Sequence, residues 1–122
     1  MTSDESQVTS GGDRRPVAYE VTLEVEPGLT EAVYRELIAH HIPAILATAC
    51  FRSIRLEREG DGRIRTRYEA ANRADLDRYL AEHTARFRTE FMGRFPRGVR
   101  ATRGIWREVE AWSRDSAPGK PQ

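Results

Sequence analysis

The chain has 122 residues, with 20 lysines and arginines against 19 aspartates and glutamates, three histidines and a single cysteine. That length holds one domain with a modest core, and a formal charge of +1 supplies no global field to recruit nucleic acid or an anionic membrane. One cysteine can neither close an internal disulfide nor furnish a set of thiolate zinc ligands.

No apolar run approaches the roughly 18 residues that span a bilayer, and the opening stretch lacks the apolar centre of a signal peptide, so a cytoplasmic protein is expected. Residues 1–15 and 113–122 are too polar to repay their ordering entropy and are expected as tails around a domain over 16–112. The first ordered text, "VAYEVTLEVE", alternates Val17, Tyr19, Val21, Leu23 and Val25 with Ala18, Glu20, Thr22 and Glu24, the period of a half-buried strand. Pro27 and Gly28 break it. Thr30 can then cap a helix with Val33, Tyr34, Leu37, Ile38 and His41 along one face.

Pro43 removes a backbone donor and biases Ile42 away from helical angles, so this helix is expected to end near His41, with a short further turn carrying Ile45 and Leu46. "CFRSIRLERE" and "RIRTRYEA" around "GDG" read as a β-hairpin. Asn72 and Asp75 resemble a capping box for one long helix bearing Leu76, Leu80, His83, Phe87 and Phe91, to about Met92. "FPRG" stops it, and "VRATRGIWREVEAW" supplies a last strand with Val99, Ala101, Ile105 and Val109 on one parity. The order βαββαβ, with right-handed crossovers, predicts a ferredoxin-like α+β sandwich: a four-stranded antiparallel sheet with two helices on one face.

The other face, with Glu20, Thr22, Ser53, Arg55, Arg65, Arg67 and Arg100, is expected to be bare of helices. Binding RNA there needs stacking aromatics, and Tyr68, the one aromatic of "RIRTRYEA", points to the helices, so a nucleic-acid partner is not expected. A solvated face of cross-strand pairs, Glu20 and Glu24 opposite Arg65 and Arg67, is one alternative. The other is a homodimer through this face, with Phe51 and Trp106 as contacts, since two large aromatics are costly to leave wet.

His41 and His83 lie on the apolar stripes of two helices that share a sheet face, where a histidine is the natural proton-transfer group. Tyr19, Tyr68 or Arg103 could orient the imidazole or polarise a carbonyl. The commoner role of such a histidine is structural, each imidazole bonding a carbonyl where Pro43 interrupts the helix or capping a gap at the core edge. Arg103 shares the parity of Ala101 and Ile105, which requires either a bulge or a partly buried arginine paired with a second-helix acid. His40 reads as surface and Cys50 as packing. No His spacing suits a metal, and no phosphate cradle or catalytic-triad order is present, so neither metal nor cofactor is expected.

The pieces "YEVTLEV", "HIPAILATACF", "RYLAEH" with a following Arg86, and "RFPRGVRATRGIWREV" together resemble a small bacterial family, the four-two-eight-six domain of unknown function, from Tyr19 to Val109. This chain departs from the family pattern with Glu20 in place of asparagine, Ala49 in place of glycine, Ala85 in place of proline, and Arg67 at a position often held by glutamine. The family resembles the dimeric α/β-barrel group, in which two subunits pack bare sheet on bare sheet. That resemblance implies a homodimer with a small cavity per subunit, binding a small molecule. Its alternatives are a cofactor-independent oxygenase, isomerase or cyclase with His41 or His83 as acid/base, and a dimeric interaction module without a ligand.

Overall fold

The computed structural model describes residues 15–114. The tails expected at the two ends therefore lie almost wholly outside the described residues. Strands β1 (Val17–Val25), β2 (Ser53–Glu59), β3 (Arg63–Ala70) and β4 (Val99–Arg107) form one sheet in the order β2-β3-β1-β4, and every neighbouring pair is antiparallel. Helical segments α1 (Thr30–Glu36), α2 (Ile42–Leu46), α3 (Arg73–Glu82) and α4 (Thr84–Arg94) connect them. This is the ferredoxin-like α+β fold that the alternation and crossover rules predict. Among the described residues no helix is long and apolar enough to cross a membrane.

Pro43 does not end the first helix. The backbone stays helical from Thr30 to Ala47, and the residues before the proline, Leu37–His41, open into a π turn whose cap is the Ile42 N–H bonded to the Leu37 carbonyl. Widening this turn accommodates the ring that would otherwise press on the preceding turn's carbonyl. It also advances roughly four residues per revolution, so Val33, Leu37, His41 and Ile45 keep one line toward the sheet, while Ile38 is turned out to solvent. The second predicted helix is in turn two. His83 leaves helical angles at φ −126°, and α3 and α4 meet there. The Asn72 cap is present, its Oδ1 accepting from the Asp75 N–H at 2.9 Å.

The "GDG" turn closes the β2–β3 hairpin with Gly60 at φ 59°, and the Thr30 hydroxyl donates to the Asp61 carbonyl, tying the start of α1 to that turn. Gly98 enters β4 at φ 82°, a left-handed conformation that strains other residues, and a Cβ there would also displace the Leu29 side chain, so glycine suits the position.

The helix side of the sheet holds the core: Val17, Tyr19, Leu23, Ile64, Tyr68 and Ala70 against Val33, Leu37, Ile45, Leu76, Tyr79, Phe87 and Phe91. Cys50 is buried there as expected. Phe51 is buried there too, at 4.8 Å from the Tyr79 ring and 5.3 Å from that of Tyr68. It is therefore no dimer contact. Residue 51 precedes β2, so strand parity does not govern where its side chain goes.

On the opposite face, four of the expected polar residues, Glu20, Arg65, Arg67 and Arg100, stand in a ladder of ion pairs: Arg67–Glu20 at 2.8 Å, Arg65–Glu57 at 2.6 Å, Arg63–Glu59 at 2.8 Å and Arg100–Glu24 at 2.5 Å. Glu20 pairs with Arg67 directly across the register, but Glu24 turns to β4 rather than to β3. Trp106 lies on this face, 58% exposed, its indole folded over Gly104.

Candidate functional site

The helices cover β1, β3 and much of β2, and leave the helix-side flank of β4 open. There Arg103 and Ile105 are exposed although they share the side of the buried Val17, Tyr19 and Leu23. Between the covered strands and this open flank lies a cavity of about 50 Å³ lined by residues of β1, β3, β4, α2, α3, α4 and the π turn. A site for one ordered water requires about 10–15 Å³ on the same measure, so the interior admits a few atoms, and any larger molecule must extend through the mouth.

Tyr19, Tyr68, His41 and Arg103 all line this cavity. Tyr19 and Tyr68 are direct register partners with ring centroids 5.9 Å apart. The Tyr19 hydroxyl accepts from Arg88 Nη2 at 3.0 Å. Burial, reinforced by Tyr79, pushes the Tyr68 phenol well above the ordinary tyrosine range, against opposing pulls from its hydrogen bond to Thr66 and from Arg103. Tyr68 is thus a neutral donor at any physiological pH.

His41 enters from the π turn, and its ring packs 5.1 Å from Phe91 and 5.9 Å, edge-on, from Phe87. Burial lowers its pKa below the ordinary imidazole value, with Glu36 and Glu90 pulling the other way. The ring is therefore a neutral imidazole near pH 7, the form that accepts a proton. Its ring neighbours at the cavity wall are the aromatic Phe87 and Phe91.

His83 is not among the cavity residues. It sits at the α3–α4 junction, its ring stacked 6.1 Å from Tyr79 and its Nδ1 accepting from Arg86 Nη2 at 2.9 Å. An arginine cannot accept, so this bond fixes the His83 proton on Nε2. The two histidines are thus separated to different surroundings. His40 is a surface residue bonded to Glu36 at 3.1 Å. Arg103 is neither in a bulge nor buried with an acidic partner: β4 pairs with β1 in unbroken register from Val99 to Arg107, and the side chain is solvent-exposed on the flank no helix covers.

Tyr79, Thr84 and Arg88, not among the expected site residues, add further polar groups to the lining. Burial pushes the Tyr79 phenol up to about 12, opposed by its bond to Thr84 and by Arg88. Thr84, Arg88 and Met92 recur at four-residue steps beside the Phe87 and Phe91 stripe, and that second, more polar stripe is the signal that points to them. Among the described residues no three histidine, cysteine, aspartate or glutamate side chains are grouped to hold a metal ion.

The chain is thus a ferredoxin-like domain with a cavity under its helices whose apolar wall carries a few polar groups. Residues 17–109 match the family model described as a domain of unknown function, DUF4286, and the chain belongs to that family. A search of curated proteins finds no match.

Among solved structures the chain is similar to a protein of unknown function from Nitrosomonas europaea, at 16% identity and TM-score 0.63, over 83% of this chain and 96% of that one. It is also similar to SnoaB, a cofactor-independent oxygenase from Streptomyces nogalater, at 16% identity and TM-score 0.60, over 80% of this chain and 96% of that one. A third is a dimeric ferredoxin-like protein from an uncultured marine organism, at 15% identity and TM-score 0.59, over 80% and 99% of the two chains. At such identities the likeness speaks for the fold.

Proposed function

We propose that this protein binds a small molecule in the cavity beneath its helices and works as a homodimer joined through the helix-free sheet face. One observation carries the reading: four residues singled out for their chemistry, Tyr19, Tyr68, His41 and Arg103, come from separate elements and line a single cavity. A void in a structural core is ordinarily apolar, whereas a ligand pocket sets a few convergent polar groups in an apolar wall. An interaction module without a ligand has no use for such a lining. The dimeric state of the marine ferredoxin-like relative supports the dimer, as does Trp106, a large exposed aromatic on the helix-free face. The charges of the ion-pair ladder are already matched within the subunit, so covering them strands few of them.

Native mass spectrometry of protein purified from its source tests both parts. A dimer carrying a low-mass adduct is the expected result, and a bare monomer overturns the proposal.

A second reading, cofactor-independent acid/base catalysis, is favoured by the neutral His41 imidazole in the wall and by the likeness to SnoaB. In this reading His41 takes a proton from the bound molecule while the Tyr68 hydroxyl donates to the oxygen that gains charge. His41→Asn separates the readings. Conversion of the co-purified molecule that disappears in a variant of unchanged melting temperature supports catalysis, and unchanged handling of that molecule excludes it.

A further inference from the structure

Building on the pocket reading above, we propose that the ligand is a small monocarboxylate with a short apolar or aromatic body, its carboxylate held by Arg88 and Arg103 at the cavity mouth. The cavity lining contains these two arginines and His41 but no aspartate or glutamate. Arg88 makes its hydrogen bond to the Tyr19 hydroxyl at 3.0 Å, and among the described residues neither Arg88 nor Arg103 has a carboxylate partner. Elsewhere on the sheet, Arg63, Arg65, Arg67 and Arg100 each face a glutamate at 2.8 Å or less. Glu36 and Glu90, which influence His41, line a neighbouring surface groove instead.

Arg103 is the register partner of Val21, and Tyr19 that of Ile105. Arg103 therefore lies on the same side of the sheet as Tyr19, one step diagonally along the ladder. Arg88 reaches the Tyr19 hydroxyl while Arg103 acts on the neighbouring Tyr68 phenol, so the two guanidinium groups border one tyrosine pair. Two cations with no carboxylate partner among the described residues, beside a wall of Phe87, Phe91 and Val21, favour an anion at the mouth. Guanidinium presents a planar fork of donors matched to a carboxylate. The interior of about 50 Å³ takes the leading carbons of a short chain or the edge of a ring, while the charged head stays at the half-open mouth.

Calorimetric titration of the full-length protein at low salt and pH 7.5 tests this with two matched pairs, benzoate against benzamide and butyrate against butyramide. The carboxylates are expected to bind about tenfold or more tightly than their amides, the difference expected of charge-assisted over neutral hydrogen bonds. Arg88→Gln and Arg103→Gln are each expected to remove most of that preference. Both side chains are exposed, so the fold should survive, and the wild-type comparison requires no variant. Equal affinity for acid and amide overturns the anion assignment while leaving pocket binding intact. A preference that survives both substitutions overturns the role of these arginines. Failure of all four compounds to bind counts against the pocket reading itself and takes this inference with it.

Discussion

Ile64 and Ile105 are the same residue on the same side of the same sheet, yet Ile64 is 1% exposed and Ile105 is 42% exposed. Ile64 sits on β3, under the helices. Ile105 sits on β4, at the sheet edge, where the helical layer has run out. The difference shows how this fold makes a pocket: a helical layer too narrow for the sheet seals one flank as core and leaves a strip of the other uncovered. Where the two regimes meet, polar side chains from the open flank reach a cavity walled by the sealed one.

Matched truncations measure that contrast most directly. Ile64→Ala is expected to cost about 2–5 kcal/mol in denaturant unfolding, because it removes buried methylenes and leaves a void. Ile105→Ala should cost under about 1 kcal/mol, since water already reaches that side chain. Equal losses would mean that the β4 flank is covered in solution, as an interface through it would require.

The boundary itself can be followed through His41. Because burial lowers its folded-state pKa, the unfolded chain takes up a proton near the ordinary value of 6.5 while the folded chain does not. Stability from this group is thus level above pH 6.5 and falls as the pH drops from there to the folded-state pKa. A single proton limits the slope to about 1.4 kcal/mol per pH unit. Urea unfolding between pH 7.5 and 5 should show a shallower fall for His41→Gln than for wild type, and parallel curves would place the imidazole in water instead.

The smallest effect lies in the turn that leads from α2 into the sealed flank. Ala49 holds a left-handed conformation at φ 63°, which glycine adopts without the Cβ penalty. Ala49→Gly is therefore expected to stabilise by about 1 kcal/mol, read as a rise in melting temperature. A decrease would show that the gain is outweighed by the freedom glycine adds to the unfolded chain.

The sequence by itself determined the strand alternation of Val17–Val25, the "GDG" hairpin, the Asn72 cap and the βαββαβ order, because each depends on neighbours within a few residues. It also marked Tyr19, Tyr68, His41 and Arg103 as chemically capable. Tertiary structure alone decided that His41 joins the tyrosines while His83 stays outside the cavity, and that Phe51 belongs to the core. It also decided that Arg103 stands free at a mouth rather than in a buried pair. The physical reason is common to all four: how far a helical layer extends over a sheet, and whether a proline is absorbed by widening the turn before it, are settled by packing between segments distant in the chain. Local periodicity carries no record of that packing.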